Sequence, residues 1–539
     1  MTRRVVVIGH GMAGTRFVEK LCGEPDGGGG GSGSGSGGGS GGGGGEFAVT
    51  VIGHEARGGY NRVLLSEVLA GTHAADHVFL HTPRWYAERG VTVRDGVRAC
   101  AIDRDRSLVS CDDGSRIGYD HLVLATGSLP VLPPIRGLRS GLPSGLPSGL
   151  RSGLRSGLRS GGELLPGCFA FRTLDDCSAL VDAAGQAKRA VVVGGGVLGV
   201  ETAWALAGRG LSVEVVHRPE SLLNNQLDDE AATVLRRVLQ ELGIACYTAT
   251  GVTAVEGGDR VTGVRLADGF VLDCDLLVFS CGIRPSVQLA AAAGLATDCG
   301  VVVDDALSSV TDPRILAIGD CAQHRDRVYG LALPGFEQAA VAASAIAHGR
   351  PPAPYTGSRS VTRLKAAGID LAAMGDTRDD PHDASSGAAE VVKFVDPVRG
   401  TYKKLVIRDG RLAGAVMLGD VGTIAAVCLA YDRQAVLPPD RLHLLFEGLA
   451  GGLGGRAGTA GPDSLPGQAT VCLCNGVSAA DIRACVARGA RSVADVASQT
   501  RATTGCGTCR GVVATLLAAG TPSEPDRPAA QTCALDVLS

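Results

Sequence analysis

The stretch KRAVVVGGGVLGVETAWALAGRGLSVEVVHRPE (188–220) decides the fold. It reads as a β-branched strand, a turn with Gly194, Gly196 and Gly199, a helix, and a second strand, all within one βαβ unit. The three glycines have separate duties: a tight turn, close approach of backbone to a pyrophosphate, and contact between helix and strand. The phosphates then rest on the positive end of the helix. The second strand runs out at His217 and Arg218, where a site for NAD usually carries an acid. An arginine there suits the 2'-phosphate of NADPH, and the choice between NADH and NADPH stays open.

The same pattern opens the chain. RRVVVIGHGMAGTRFVEKL (3–21) is a short strand running into Gly9, Gly11 and Gly14 and then a helix. The next strand, FAVTVIGHE, reaches Glu55, which stands 41 residues after Gly14, or 22 once a nineteen-residue insertion is set aside. That is about the distance at which an acid binds the adenosine ribose, with Gly53 or His54 as alternative holders of the place. Two dinucleotide sites in one chain suggest a flavin, FAD, reduced by a nicotinamide, NAD(P)H.

At 539 residues the chain exceeds one core, and two to four domains are expected. Hydrophobic residues make up 45% and the net charge is −4, with no basic face to bind nucleic acid. No apolar run reaches the roughly eighteen residues of a membrane helix, so no membrane partner is expected. The apolar run in MTRRVVVIGHGMAG is short and carries the glycine pattern, so the start reads as cytoplasmic protein rather than an export signal. Seventeen cysteines in such a protein point to metal or redox chemistry more than to a disulfide framework. Two low-complexity segments, a Gly/Ser run (27–45) and six copies of a four-residue unit (137–160), read as surface-loop insertions.

Two further segments place the fold. YDHLVLATGSLPVLPP (119–134) is a strand ending in Ala125, Thr126 and Gly127, and TDPRILAIGDCAQH (311–324) one ending in Gly319 and Asp320. They resemble the returning strands of the two-dinucleotide-domain flavoprotein disulfide reductase superfamily. The resemblance implies that Asp320 contacts FAD and that Thr126 and Gly127 lie near the domain crossover. Cys321 then reads as a packed strand-end thiol. Relatives that reduce disulfides keep a reactive cysteine early in the FAD domain. Here that helix reads YNRVLLSEVLAGTHAA, with Ser66 and no cysteine from 23 to 99, so electrons leave the flavin by another route.

VCLCNGVSAADI (471–482) and GCGTC (505–509) bring Cys472, Cys474, Cys506 and Cys509 into one region, with 31 residues between Cys474 and Cys506. Thiolates hold zinc and iron-sulfur clusters alike, and C-x-C is cramped for a zinc knuckle. The segment 471–518 resembles the bacterioferritin-associated-ferredoxin type of [2Fe-2S] domain, which implies these four cysteines as cluster ligands and Cys485 as a structural thiol. A flavin takes two electrons as hydride and a cluster passes them on singly.

YTGSRSVTRLKAAGIDLAAMGD (355–376) and TYKKLVIRDGRLAGAVMLGD (401–420) resemble the third domain of NAD(P)H-dependent nitrite reductase large subunits and of the electron-transfer subunits of assimilatory nitrate reductases. YNRVLLSEVLAG (60–71), which brings Arg62 into the FAD site, and YGLALPGFEQAAVAA (329–343) fit the same family. By resemblance to ferredoxin-reductase relatives, Glu201 lies near the nicotinamide; the alternative is a buried helix carboxylate facing the sheet. The family's sirohaem domain uses C-x5-C and C-x3-C pairs, and no cysteine pair of this chain has either spacing.

The expected architecture is α/β, with two doubly wound dinucleotide-binding domains of the flavoprotein disulfide reductase type. FAD holds 1–162 and 296–350, and NAD(P)H holds 163–295. An α+β third domain (351–448), a Gly-rich linker (449–468), a small helical [2Fe-2S] domain (469–520) and a tail (521–539) follow. The expected function is a donor module passing electrons from NAD(P)H through FAD and the cluster to a separate molybdenum-containing nitrate reductase catalytic chain. The alternative acceptor is a ferredoxin, a rubredoxin or a sirohaem nitrite reductase. A redox or metal sensor is disfavoured, because a sensor has no need of hydride delivery. No acid-base catalytic residue is named.

Overall fold

A computed structural model of the chain describes residues 2–23, 46–139, 163–349, 351, 353–366, 368–378, 389–446, 465, 467, 469–472, 475–504 and 509–520. The first insertion, residues 140–160 of the second and the tail lie outside the described residues. So do Cys474 and Cys506. The chain divides into two compact units, residues 1–454 and 455–539.

In the first unit, Val5, Val6 and Val7 are all within 1% of complete burial, so the opening strand is covered on both faces. A strand apolar on every residue belongs in the middle of a parallel sheet between helices. It sits at the centre of five parallel strands, in the order Ile315–Ala317, His121–Leu124, Arg3–Ile8, Phe47–Gly53 and Thr92–Asp95. Ile315–Ala317 thus brings the chain back to the sheet of the opening strand. A second parallel sheet repeats the plan with Ile244–Tyr247, Ser212–Val216, Arg189–Val193, Leu276–Phe279 and Cys168–Ala170. The crossover between the two domains is a short antiparallel pair, Ser128–Pro130 with Ile283–Pro285.

The third domain is a five-stranded antiparallel sheet, in the order Val361–Ala366, Ile369–Gly375, Arg411–Leu418, Thr401–Arg408 and Glu390–Asp396. Its two faces are both buried, by alternate residues. Ala372, Met374, Ala415 and Met417 pack with the helix Ile424–Arg433, through Ile424, Val427 and Tyr431. Leu371, Ala373, Val416 and Leu418 join the apolar cluster of the second parallel sheet and its helices. Each of these larger side chains is worth roughly 1.5–3 kcal/mol of burial, so apolar contact is a large part of what holds the third domain against the domain of the second parallel sheet.

The second unit opens with a hairpin, Thr470–Cys472 paired with Val477–Ser478. Helices Ala479–Ala487, Val493–Thr500 and Arg510–Gly520 follow. Ser478 with Asp481 and Ser492 with Asp495 form capping boxes, which is why the first two helices begin where they do. No helix among the described residues is long and apolar enough to cross a membrane.

Candidate functional site

The two glycine turns have the same geometry. Gly9 has φ +121°, and a Cβ there would lie 2.0 Å from the Ala125 carbonyl oxygen. A Cβ on Gly14 would lie 2.1 Å from the Gly9 oxygen, so the helix Met12–Cys22 rests directly on the turn. Gly11, the N-cap of that helix, has nothing within 4 Å of its Cβ position. In the second turn Gly194 has φ +119° and a Cβ contact of 2.3 Å with Ser280 O. A Cβ on Gly199 would lie 1.8 Å from Gly194 O, and Gly196 faces open space. Both turns are therefore closed on the sheet side and open at the helix N-terminus, where unpaired amides favour an anion. The cradle fits a dinucleotide pyrophosphate in each domain.

Around the first turn the expected residues converge on one chain of charges. Strand Phe47–Gly53 stops two residues short of Glu55, whose carboxylate receives the Tyr60 hydroxyl (2.6 Å) and an ion pair from Arg62. Burial pushes the Glu55 carboxyl up, but the Arg62 charge and the two hydrogen bonds outweigh it and hold the group below its ordinary value. Of the alternatives, Gly53 packs against Asp95 and His10, and His54 is exposed. Arg62 Nη1 donates to the carbonyl of Arg172 (3.1 Å). Arg172 Nη2 in turn donates to Asp320 Oδ2 (2.7 Å) and to Ser128 Oγ (2.6 Å). Asp320, on the turn Gly319–Cys321, also accepts from Ser128 (2.8 Å).

Glu55, Arg62 and Asp320 are thus linked through Arg172, which the sequence reading missed. Its Nε is buried with no hydrogen-bond partner among the described residues, a donor suited to an anion. Thr126 Oγ1 donates to Ser286 O (2.8 Å), and Ser286 N donates to Gly127 O (2.9 Å), beside the Ser128–Pro130 and Ile283–Pro285 pair. His10, also missed, lies inside the glycine turn and is fixed by Asp95 (2.7 Å) and the Tyr86 hydroxyl (2.8 Å). Cys321 is fully buried with its thiol 3.3 Å from the Leu124 and Ile318 carbonyls, and burial pushes its pKa up. A thiol so placed packs; it does not react.

Around the second turn, Glu201 is buried and accepts the Ser66 hydroxyl (2.8 Å). This bond joins helix Val197–Gly208 to helix Leu65–Ala70 of the FAD-side domain. Strand Ser212–Val216 ends one residue before His217. The His217 ring is buried beneath the turn and accepts the Gly195 amide at Nδ1 (2.9 Å), and burial pushes its pKa down. His217 therefore supports the glycine turn, and Arg218 is the exposed side chain at the strand end.

In the second unit, Cys472 and Cys509 are buried, and Cys485 lies buried on helix Ala479–Ala487 as expected of a structural thiol. Asn475 links the first cysteine segment to residues 501–504. Its Nδ2 lies 3.8 Å from Cys472 Sγ and donates to Arg501 O (2.7 Å) and Thr504 Oγ1 (3.3 Å), just ahead of the GCGTC segment. Soft thiolates at this spacing fit an iron-sulfur cluster.

Two phosphate-binding turns and a thiolate domain define the class: an NAD(P)H-dependent flavoprotein oxidoreductase whose cofactors are FAD, NAD(P)H and a [2Fe-2S] cluster. The chain belongs to the pyridine nucleotide-disulphide oxidoreductase family, whose model matches residues 3–345. Residues 361–430 match the rubredoxin NAD+ reductase C-terminal domain, and 470–519 match the BFD-like [2Fe-2S] binding domain. Among curated proteins, the chain is 30% identical to the assimilatory nitrate reductase electron transfer subunit of Bacillus subtilis (strain 168), over 98% of this chain and 61% of that protein. It is 32% identical to the nitrite reductase (NADH) large subunit of Escherichia coli (strain K12), over 95% of this chain and 55% of that one. The chain thus spans just over half the length of these relatives. In fold it is similar to a ferredoxin reductase from Rhodopseudomonas palustris, with TM-score 0.65, 24% identity, and coverage of 81% of this chain and 96% of that one.

Proposed function

We propose that this chain collects electrons from NAD(P)H and delivers them to a separate redox protein. The carrying observation is the repeated glycine turn, closed on its sheet and open at its helix N-terminus in both domains. When bound, FAD accepts hydride from the nicotinamide and the [2Fe-2S] cluster passes electrons on singly. The protein's part is placement. Gly11 and Gly196 let each pyrophosphate reach the helix amides, and Arg172 with Arg62 supplies positive charge beside the first. Glu55 and Asp320 accept from the sugar hydroxyls of the flavin cofactor, and Thr126 and Gly127 hold the crossover at its side. Glu201, through Ser66, keeps the coenzyme helix against the flavin domain, and Arg218 meets the adenosine end of the coenzyme. Cys472, Cys474, Cys506 and Cys509 hold the cluster, with Asn475 joining the first cysteine segment to residues 501–504.

The acceptor we favour is the molybdenum-containing catalytic chain of an assimilatory nitrate reductase, in the cytoplasm. The relative similar over 98% of this chain is named as an electron transfer subunit, which supports a partner on another polypeptide. A second reading, reduction of a ferredoxin, a rubredoxin or a sirohaem nitrite reductase, is favoured by the third domain's match to a rubredoxin reductase domain. An anaerobic assay decides between them. With NAD(P)H and a molybdenum nitrate reductase chain, nitrate is reduced to nitrite; with NAD(P)H and nitrite alone, no ammonia forms. Transfer to rubredoxin or ferredoxin but none to the nitrate reductase chain would favour the second reading.

A further inference from the structure

The third domain grips the coenzyme-side loop at a point the electron path leaves unused. Residues 217–228 connect the strand Ser212–Val216 to the helix Asp229–Glu241 and carry the exposed Arg218. At its start and at its middle the loop is tied to the glycine turn. Gly195 N donates to His217 Nδ1 (2.9 Å), and Leu223 N donates to Gly195 O (2.9 Å). At its end the loop is held from the other side by the third domain. Lys404 Nζ donates to Asp228 Oδ2 (2.7 Å) and to Thr377 O (2.8 Å). The Tyr402 hydroxyl donates to the same Asp228 oxygen (2.6 Å), and Thr377 Oγ1 donates to Gln226 O (3.1 Å). Asp228 meanwhile caps the helix by accepting from Ala231 N (3.0 Å).

Lys404 is only 2% exposed. A desolvated ammonium costs free energy that its ion pair offsets at best in part, and an apolar side chain of the same length often serves stability as well. Docking does not need it either, since Leu222, Leu223 and Leu227 of the loop share one apolar cluster with Leu371, Val416 and Leu418 of the third domain. What the polar ring adds is direction. It fixes Gln226 and Asp228 at one end of a loop whose other end is pinned to the glycine turn.

We propose that Lys404, with Tyr402 and Thr377, is a positioning device by which the third domain sets how the coenzyme loop presents Arg218 to the 2'-phosphate of NADPH. The proposal rests on the nicotinamide reading of the second glycine turn.

Two fragments separate the parts of the claim: 2',5'-ADP, which carries the 2'-phosphate, and 5'-ADP, which lacks it. Equilibrium binding to the full-length holoprotein is measured for the wild type, K404M and T377V, with amide hydrogen exchange of residues 218–228 followed in each. Wild type is expected to prefer 2',5'-ADP. K404M should weaken 2',5'-ADP about five- to tenfold and 5'-ADP much less, keep its FAD, and exchange faster in the loop alone. T377V, which removes one hydrogen bond and no charge, should show the same pattern at about two- to threefold, and it carries the test if K404M does not fold. Unchanged fragment preference in both variants would overturn the proposal. So would parallel loss of FAD and of both fragments, which marks a merely structural role. Wild type binding neither fragment would sink the nicotinamide reading itself, and the exchange data alone would then decide the clamp.

Discussion

The first and second glycine turns are near copies that differ at the strand that follows. In both, one glycine sits near φ +120° with a carbonyl about 2 Å from where a Cβ would be, and one faces open space. The first turn is followed by a carboxylate, Glu55, ion-paired with Arg62 and hydrogen-bonded by the Tyr60 hydroxyl. The second is followed by a buried neutral histidine under the turn and an exposed arginine. The shared part is what any pyrophosphate requires; on the proposed reading, the two or three residues after the strand distinguish the two nucleotides.

The largest effects should come from breaking the shared part. Gly9→Ala and Gly194→Ala each force a Cβ into a carbonyl oxygen and leave a non-glycine residue at strained φ, at a cost of about 3–5 kcal/mol. Gly9→Ala should yield protein without flavin. Gly194→Ala should keep FAD but lose at least about 100-fold in kcat/KM for NAD(P)H, measured by anaerobic flavin reduction. Equal loss of flavin in both variants would mean that the two turns do not serve separate nucleotides.

Arg218→Glu sharpens the difference between the strand ends. A charge-assisted bond to phosphate is worth about 1.5–3 kcal/mol, so kcat/KM for NADPH should fall roughly 10- to 100-fold while that for NADH holds. A parallel drop for both coenzymes would remove Arg218 from the 2' position.

Glu55→Gln should weaken FAD binding more modestly, and it alters the acid limb of stability. Because the folded Glu55 titrates below its ordinary value, its contribution is complete above the unfolded pKa of about 4.3 and disappears as pH falls through the folded one. The wild type should therefore lose stability on acidification in that window more steeply than Glu55→Gln, as thermal unfolding of the holoprotein would show.

The smallest effect is expected in the second unit. Asn475→Ala removes a weak N–H···S contact together with the hydrogen bonds to Arg501 O and Thr504 Oγ1; in protein that keeps its iron, the cluster's midpoint potential should fall by roughly 20–40 mV in a redox titration.

The glycine turns and the [2Fe-2S] domain were legible in the sequence because their requirements are local. A backbone at positive φ admits glycine, and a cluster needs thiolates at a set spacing. Strand ends ran one or two residues longer in the sequence than in the structure, since Glu55 and His217 continue the chain past the last paired residue. Arg172 was not legible, because its partner Asp320 is 148 residues away and no period or spacing marks it. Lys404 stands in TYKKLVIR, where a charged pair suggests a solvated strand. Only the packing shows that this sheet is covered on both faces and that the lysine was placed inward against Asp228. Asn475 was hidden for the same reason, as its partner segments lie 26 and 29 residues further on.

The order of carriers is the central claim, and Cys509→Ser tests it most directly. In anaerobic stopped-flow with NADPH or NADH, the flavin band of the variant should bleach at the wild-type rate, while the cluster absorbance and reduction of the partner chain are lost. A variant that cannot reduce its own FAD, or one that still reduces the partner at the wild-type rate, would contradict a path from NAD(P)H through FAD to the cluster and outward.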